Sequence, residues 1–116
     1  ACAAAAANLQ MWRDEPVRER LLALAALQEE RLAWFREDAR FATLRRLGTI
    51  AALDLKVPDP GYLAGLGPQL MQFFLDRGVL LRPLGNTIYL MPPYCVTGAE
   101  LDLAYDAIED AAEKFG

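Results

Sequence analysis

The sequence predicts an α+β domain, a small β-sheet covered by helices, in the order α-α-β-α-β-β-α. Apolar residues recur at helical spacing between Val17 and Phe35 and again between Leu101 and Phe115. Between those two stretches lie short runs rich in Thr, Ile, Val and Leu, bounded by glycines and prolines, which favour strands and turns. The 116 residues suit a domain with one core.

Residues 2–13 read as an alanine-rich helix, because alanine has the best helix propensity. Asp14-Glu15-Pro16 breaks it, and Pro16 suits the first turn of the next helix. That helix is expected over about 16–38, with Leu21, Leu24, Leu32 and Phe35 on its apolar face. In residues 43–56, Thr49, Ile50, Leu53 and Leu55 predict one strand, with Gly48 marking a bulge or a close backbone approach. Asp59-Pro60-Gly61 supplies turn chemistry. A third helix is expected to start at Pro68, carry Leu70, Met71, Phe73, Phe74 and Leu75, and end at Gly78. Val79-Leu80-Leu81 and Thr87-Ile88-Tyr89-Leu90 read as strands joined by a turn at Leu84-Gly85-Asn86, and Pro92-Pro93 stops the second. Thr97 and Glu100 have capping-box spacing and open the last helix. Its expected buried stripe is Leu101, Tyr105, Ile108, Ala112 and Phe115.

The chain carries 12 basic and 16 acidic side chains, a net charge of -4. An acidic balance argues against nucleic acid, whose phosphates reward a basic face. No polybasic run is present to hold an anionic membrane, and no stretch approaches the length of a membrane span. Small molecules and other protein surfaces are the expected partners. The apolar share of 54% is high for a short chain; the alanine of its helices inflates the count, but the numerous Leu, Phe and Trp favour an interface beyond its own core. Two cysteines, Cys2 and Cys95, are too few for a disulfide framework, so reduced thiols and a cytoplasmic location are expected.

The absence of histidine removes a Ser-His-Asp triad, a Cys-His dyad and histidine-ligated zinc. The acids of the last helix, Asp102, Asp106, Glu109, Asp110 and Glu113, lie opposite its apolar stripe and read as a solvated face, not a metal site. Gly61, Gly65 and Gly67 lack the Lys-Ser/Thr of a phosphate loop. Tyr89 and Tyr94 bracket LMPP, as rim or packing residues. Lys56 reads as a surface lysine, and Cys95 lacks a basic neighbour to activate it. Arg82 is the most informative position. A guanidinium at an apolar strand end needs an anionic partner, and its fork suits a carboxylate or phosphate. It is either a substrate-carboxylate clamp at a cleft edge or a structural partner of Asp54 or Asp76.

Residues 71–94, MQFFLDRGVLLRPLGNTIYLMPPY, resemble the C-terminal domain of class III aminotransferases. The most specific part runs from Arg82-Pro83-Leu84-Gly85-Asn86 through Ile88-Tyr89-Leu90-Met91-Pro92-Pro93-Tyr94 and resembles the biotin-biosynthesis branch of that family. ACAAAAANL is similar to the helix after the family's catalytic-lysine segment, and Leu47-Gly48-Thr49-Ile50-Ala51 to the first strand of its small domain. The resemblance implies a fold-type I homodimer that uses pyridoxal 5'-phosphate. Residues 1–38 would link from a large domain, and 39–116 would form the C-terminal small α+β domain. The implied reaction moves an amino group from S-adenosylmethionine to 7-keto-8-aminopelargonate, giving 7,8-diaminopelargonate. In the family, the arginine matching Arg82 binds the keto-acid carboxylate, which favours the clamp.

The family's Schiff-base lysine, its phosphate-binding Gly-Ser segment and its pyridine-facing aspartate belong to the large domain and have no match here. This chain alone is therefore expected to bind no cofactor and to catalyse nothing. The remainder of the polypeptide and a second subunit are its expected partners. The alternatives are another class III aminotransferase, of acetylornithine or 4-aminobutyrate type, and a stand-alone α+β binding or dimerisation module.

Overall fold

A computed structural model describes residues 1–58 and 63–116. The elements are α1 (Cys2–Asp14), α2 (Val17–Ala33), β1 (Phe41–Leu47), β2 (Ile50–Leu55), α3 (Leu63–Asp76), β3 (Thr87–Leu90) and α4 (Gly98–Phe115). The α+β class holds, with an antiparallel sheet ordered β1-β2-β3. The element order differs from expectation and runs α-α-β-β-α-β-α.

The single strand expected over 43–56 is a hairpin. Leu47 pairs with Ile50 across Gly48-Thr49, and Gly48 takes φ 60°. Glycine at the first central position suits a two-residue type II′ connection. Gly48 therefore closes a hairpin, and the irregularity in the ladder falls between Phe41 and Thr43.

The strand expected at 79–81 does not form. Gly78, at φ 73°, ends α3 as predicted. Its N–H donates to Leu75 O at 2.9 Å and the Val79 N–H to Phe74 O at 3.0 Å. This is the paired bonding of a Schellman motif, which spends the Val79 donor on closing the helix. Residues 80–83 then run on without regular structure.

Two helix bounds also move. Helix α3 starts at Leu63 and holds Pro68 inside it. Leu66, just ahead of the proline, is fully buried, and that burial offsets the missing N–H. Helix α2 stops at Ala33, because the N–H groups of Trp34, Phe35 and Arg36 reach back only three residues, to Arg31, Leu32 and Ala33. Phe35 enters the core beyond it, with its ring 5.3 Å from Phe41 and 6.1 Å from Tyr105. The Asp59-Pro60-Gly61 turn lies outside the described residues.

One face of the sheet forms the floor of the core. Ala51, Leu53, Leu55, Ile88 and Leu90 are at most 2% exposed, the period-two signature of a half-buried sheet. Leu24 and Leu32 of α2, Leu66, Leu70 and Phe74 of α3, and Leu101, Tyr105 and Ile108 of α4 close over it. Thr97 caps α4 in a full capping box with Glu100. The predicted stripe of α4 is buried except Phe115, which is partly exposed. Gln28 is fully buried, accepts from the Tyr105 hydroxyl at 2.5 Å and donates to Thr49 O at 2.9 Å. Helix α1 buries no residue and leaves Leu9, Met11 and Trp12 exposed. No described helix is long and apolar enough to cross a membrane.

Candidate functional site

The site grows from the turn at 84–86, which forms as predicted. Leu84 and Thr87 exchange backbone hydrogen bonds of 2.9 Å, and Gly85 takes φ 60° between them. Asn86 docks this turn on the end of β2. Its Nδ2 donates to Leu55 O at 2.7 Å, while the Leu55 N–H donates to Asn86 O at 2.9 Å. On the opposite side α3 approaches closely, where a Cβ added to Gly67 would lie 3.7 Å from the Gly85 nitrogen.

Arg82 stands just before this turn, exposed and on irregular backbone. The expectation of a strand-end guanidinium is corrected, because the chain leaves the Schellman turn without joining the sheet. The alternative of a structural pair with Asp54 or Asp76 is corrected as well. Asp54 takes both ends of the Arg45 fork, at 2.5 and 3.0 Å, together with the hydroxyls of Thr43 and Thr87. Asp76 accepts from Gln72 at 2.8 Å. Arg82 forms no ion pair among the described residues. Its planar fork is therefore available to an external carboxylate.

The space beside it fits such a ligand. An open hollow of about 590 Å³ is bounded by Arg82, by Leu84 and Gly85 of the turn, by Gly67 and Met71 of α3, and by Tyr89 of β3. A smaller hollow of about 180 Å³ lies beside Arg82 toward Leu80 and Met91, and shares Tyr89. One cation set among aliphatic and aromatic walls suits a molecule with an acid end and an apolar body.

Asp54 is the organising group that sequence reasoning missed. Burial works to raise its pKa, but hydrogen bonds from Arg45, Thr43 and Thr87, with the Arg45 charge, hold it down at about 2. Thr43 and Arg45 stand beside it only once β1 is paired with β2, so the unrecognised hairpin concealed the cluster.

The other candidates separate from this site. Tyr94 donates to Glu15 at 3.1 Å, with Arg20 5.8 Å over its ring, and packs at the α1/α2 break. Asp102 pairs with Arg31 and Asp110 with Arg77, so two acids of α4 tie down helices, and no metal-binding acid cluster occurs among the described residues. Cys2 and Cys95 are free and exposed. A pyridoxal-phosphate lysine needs a desolvated pocket that lowers its pKa. Lys56 is exposed after β2, and Lys114 is exposed beside the Phe73 and Phe115 rings. Neither borders the Arg82 hollow.

Comparison with known proteins bears on this arrangement. The family model of class III aminotransferases matches residues 1–112. Adenosylmethionine-8-amino-7-oxononanoate aminotransferase of Synechococcus elongatus is 40% identical over 113 residues, covering 97% of this chain and 26% of its own length. The enzyme of the same name from Helicobacter pylori is 35% identical over 118 residues, covering 98% and 26%. The crystal structure of the Methanocaldococcus jannaschii enzyme superposes with a TM-score of 0.84 at 28% identity, over 98% of this chain and 27% of that one. An omega-transferase from Vibrio fluvialis JS17 gives 0.84 at 30% identity, over 98% and 28%. The chain thus spans about a quarter of the length of the relatives it matches. With nearly all of its length matched by the family model and its fold shared with solved transaminases, the chain belongs to the class III aminotransferase family.

Proposed function

We propose that this chain supplies a substrate-binding wall of a pyridoxal-phosphate transaminase of the biotin pathway, with Arg82 as the clamp for the amino acceptor's carboxylate. One observation carries the reading: an exposed guanidinium with no acid partner among the described residues borders a hollow walled by Met71, Leu84 and Tyr89. The names of the relatives supply the substrates. The amino donor is S-adenosylmethionine, and the acceptor is 8-amino-7-oxononanoate, also called 7-keto-8-aminopelargonate. The acceptor ends in a carboxylate on an aliphatic chain. Its acid end meets Arg82 through two charge-assisted hydrogen bonds, and its methylenes lie against the apolar wall.

The lysine, the cofactor and the electron-sink chemistry that the cofactor supplies come from the rest of the polypeptide. Residues 1–38 lead in from it, and the active enzyme is a cytoplasmic homodimer. The test is Arg82→Ala in the full-length transaminase. Loss of a charge-assisted contact of roughly 1.5–3 kcal/mol raises the acceptor KM by roughly 10- to 150-fold. An unchanged KM in a folded variant returns Arg82 to the solvated surface.

A further inference from the structure

We propose that Asn86 is a positioning residue for Arg82: its side-chain amide fastens the Arg82-bearing turn to the end of β2 and so fixes where the guanidinium meets a carboxylate. The inference rests on the clamp reading of Arg82 above.

The segment around Arg82 is held by packing of Val79 and Leu81 against the core, which is non-directional, and by few directed bonds. Between the Val79 N–H, bonded to Phe74, and Leu84, no backbone hydrogen bond ties residues 80–83 to the described residues. Directed bonds therefore reach Arg82 from its C-terminal side, through the closed turn at 84–87. That turn touches the body of the fold on two sides. Toward α3 it makes a close approach at Gly67, which is non-directional. Toward β2, Asn86 is bonded to Leu55 twice, and Thr87, where β3 begins, to Asp54. The backbone bond from the Leu55 N–H to Asn86 O and the Asp54–Thr87 pairing beside it hold the turn at its β3 end and leave the Leu84–Gly85 end free to tilt. The second bond, from Asn86 Nδ2 to Leu55 O, removes that freedom and sets the turn's orientation.

The residue type matters. Leu55 O needs a donor, which asparagine supplies at 2.7 Å and aspartate, ionised, does not. Thr87 also bonds the sheet, through Asp54 at 2.7 Å. Asp54, however, serves Arg45 and Thr43 too, so its removal disturbs the whole outer face. Asn86 is the contact that acts on the turn alone. A clamp displaced by about 1 Å loses the two-point geometry on which bidentate binding depends.

The experiment uses the full-length transaminase with Asn86→Ala, Arg82→Ala and the double variant, and with Asn86→Asp as a second way to remove the donor. The readouts are the acceptor KM, kcat, melting temperature and the preference for the free keto acid over its methyl ester, which has no charge for Arg82 to hold. Asn86→Ala is expected to raise the acceptor KM by roughly three- to tenfold, with kcat within about twofold. It should shrink the acid-over-ester preference and add nothing once Arg82 is alanine. Asn86→Asp should act in the same direction, and serves alone if the alanine variant does not fold. Tyr105→Phe, which loses the core bond to Gln28, should lower the melting temperature and leave the preference intact.

If Arg82→Ala abolishes the preference while the Asn86 variants keep it, the positioning role is overturned and the clamp stands. An Asn86 effect that persists in the Arg82→Ala background overturns it as well, since the residue then acts on something else. If Arg82→Ala itself leaves the preference unchanged, the clamp reading falls and the positioning role falls with it.

Discussion

The two faces of the sheet are built by different physics. The inner face is apolar and closed, with Ala51, Leu53, Leu55, Ile88 and Leu90 sealed beneath three helices. The outer face carries Thr43, Arg45, Asp54 and Thr87, held by hydrogen bonds and half open to water, with Tyr89 beside them. The inner face supplies stability through area removed from water, which is non-directional. The outer face supplies direction. It fixes the start of β3 through Asp54, while Asn86 ties the neighbouring turn to the end of β2, and the arginine hollow opens beside both. The strand that forms the core floor thus also anchors the binding edge, so a site can sit on a thin segment without regular structure of its own.

Substitutions on each face should separate these roles. The largest effect is expected from Leu53→Ala, which removes a fully buried side chain where strands and helices meet. It should cost about 2–5 kcal/mol in chemical denaturation, the transfer term plus the gap left behind. A cost below about 1 kcal/mol would mean that the inner face collapses into the space, and the contrast between faces would weaken.

The outer face should reveal itself through pH. Asp54 has a folded pKa of about 2 against an ordinary value of 3.8, so the folded state favours its ionised form. The corresponding stability is fully present above the ordinary value and is lost as pH falls through the folded one. A contribution of about 1–2 kcal/mol is expected, reduced by the half-exposed Arg45 partner. Asp54→Asn should cost a similar amount at neutral pH and flatten the loss of stability between pH 3.8 and about 2. An unchanged acid limb would assign that slope to other carboxylates. The smallest effect is expected from Tyr89→Phe. Its hydroxyl makes no hydrogen bond among the described residues, so stability should stay within about 0.5 kcal/mol. A larger loss would show that the rim of the hollow bears more of the fold than its polar contacts suggest.

Legibility followed the range of the interactions. Thr97 and Glu100 announce the start of α4 because a capping box is closed within four residues. Gly78 and the turn at 84–86 were readable for the same local reason. Strand β1 was not, because an edge strand carrying Arg45 and Arg46 has no apolar alternation to detect. Pro68 misled in the other direction, since the turn ahead of it is held by burial of Leu66 and not by local preference. At the site, Arg82 was singled out by its setting among apolar residues, and the class III family was legible in 82–94. Its surroundings were not legible, because Asp54, its supposed partner, is claimed by Arg45 nine residues away and by Thr87 across 33.

By itself the sequence determined the α+β class, the helical stripe of α4, the Gly78 and Thr97 caps, the turn at 84–86, and the family. These rest on propensity, periodicity and motif, which act within a few neighbouring residues. Only the tertiary structure decided that Gly48 closes a hairpin, that residues 79–81 stay out of the sheet, and that Arg82 faces an open hollow with no acid paired to it among the described residues. Those outcomes depend on which distant groups claim the available donors and acceptors. That competition is settled when the strands take their register, and no local pattern records it.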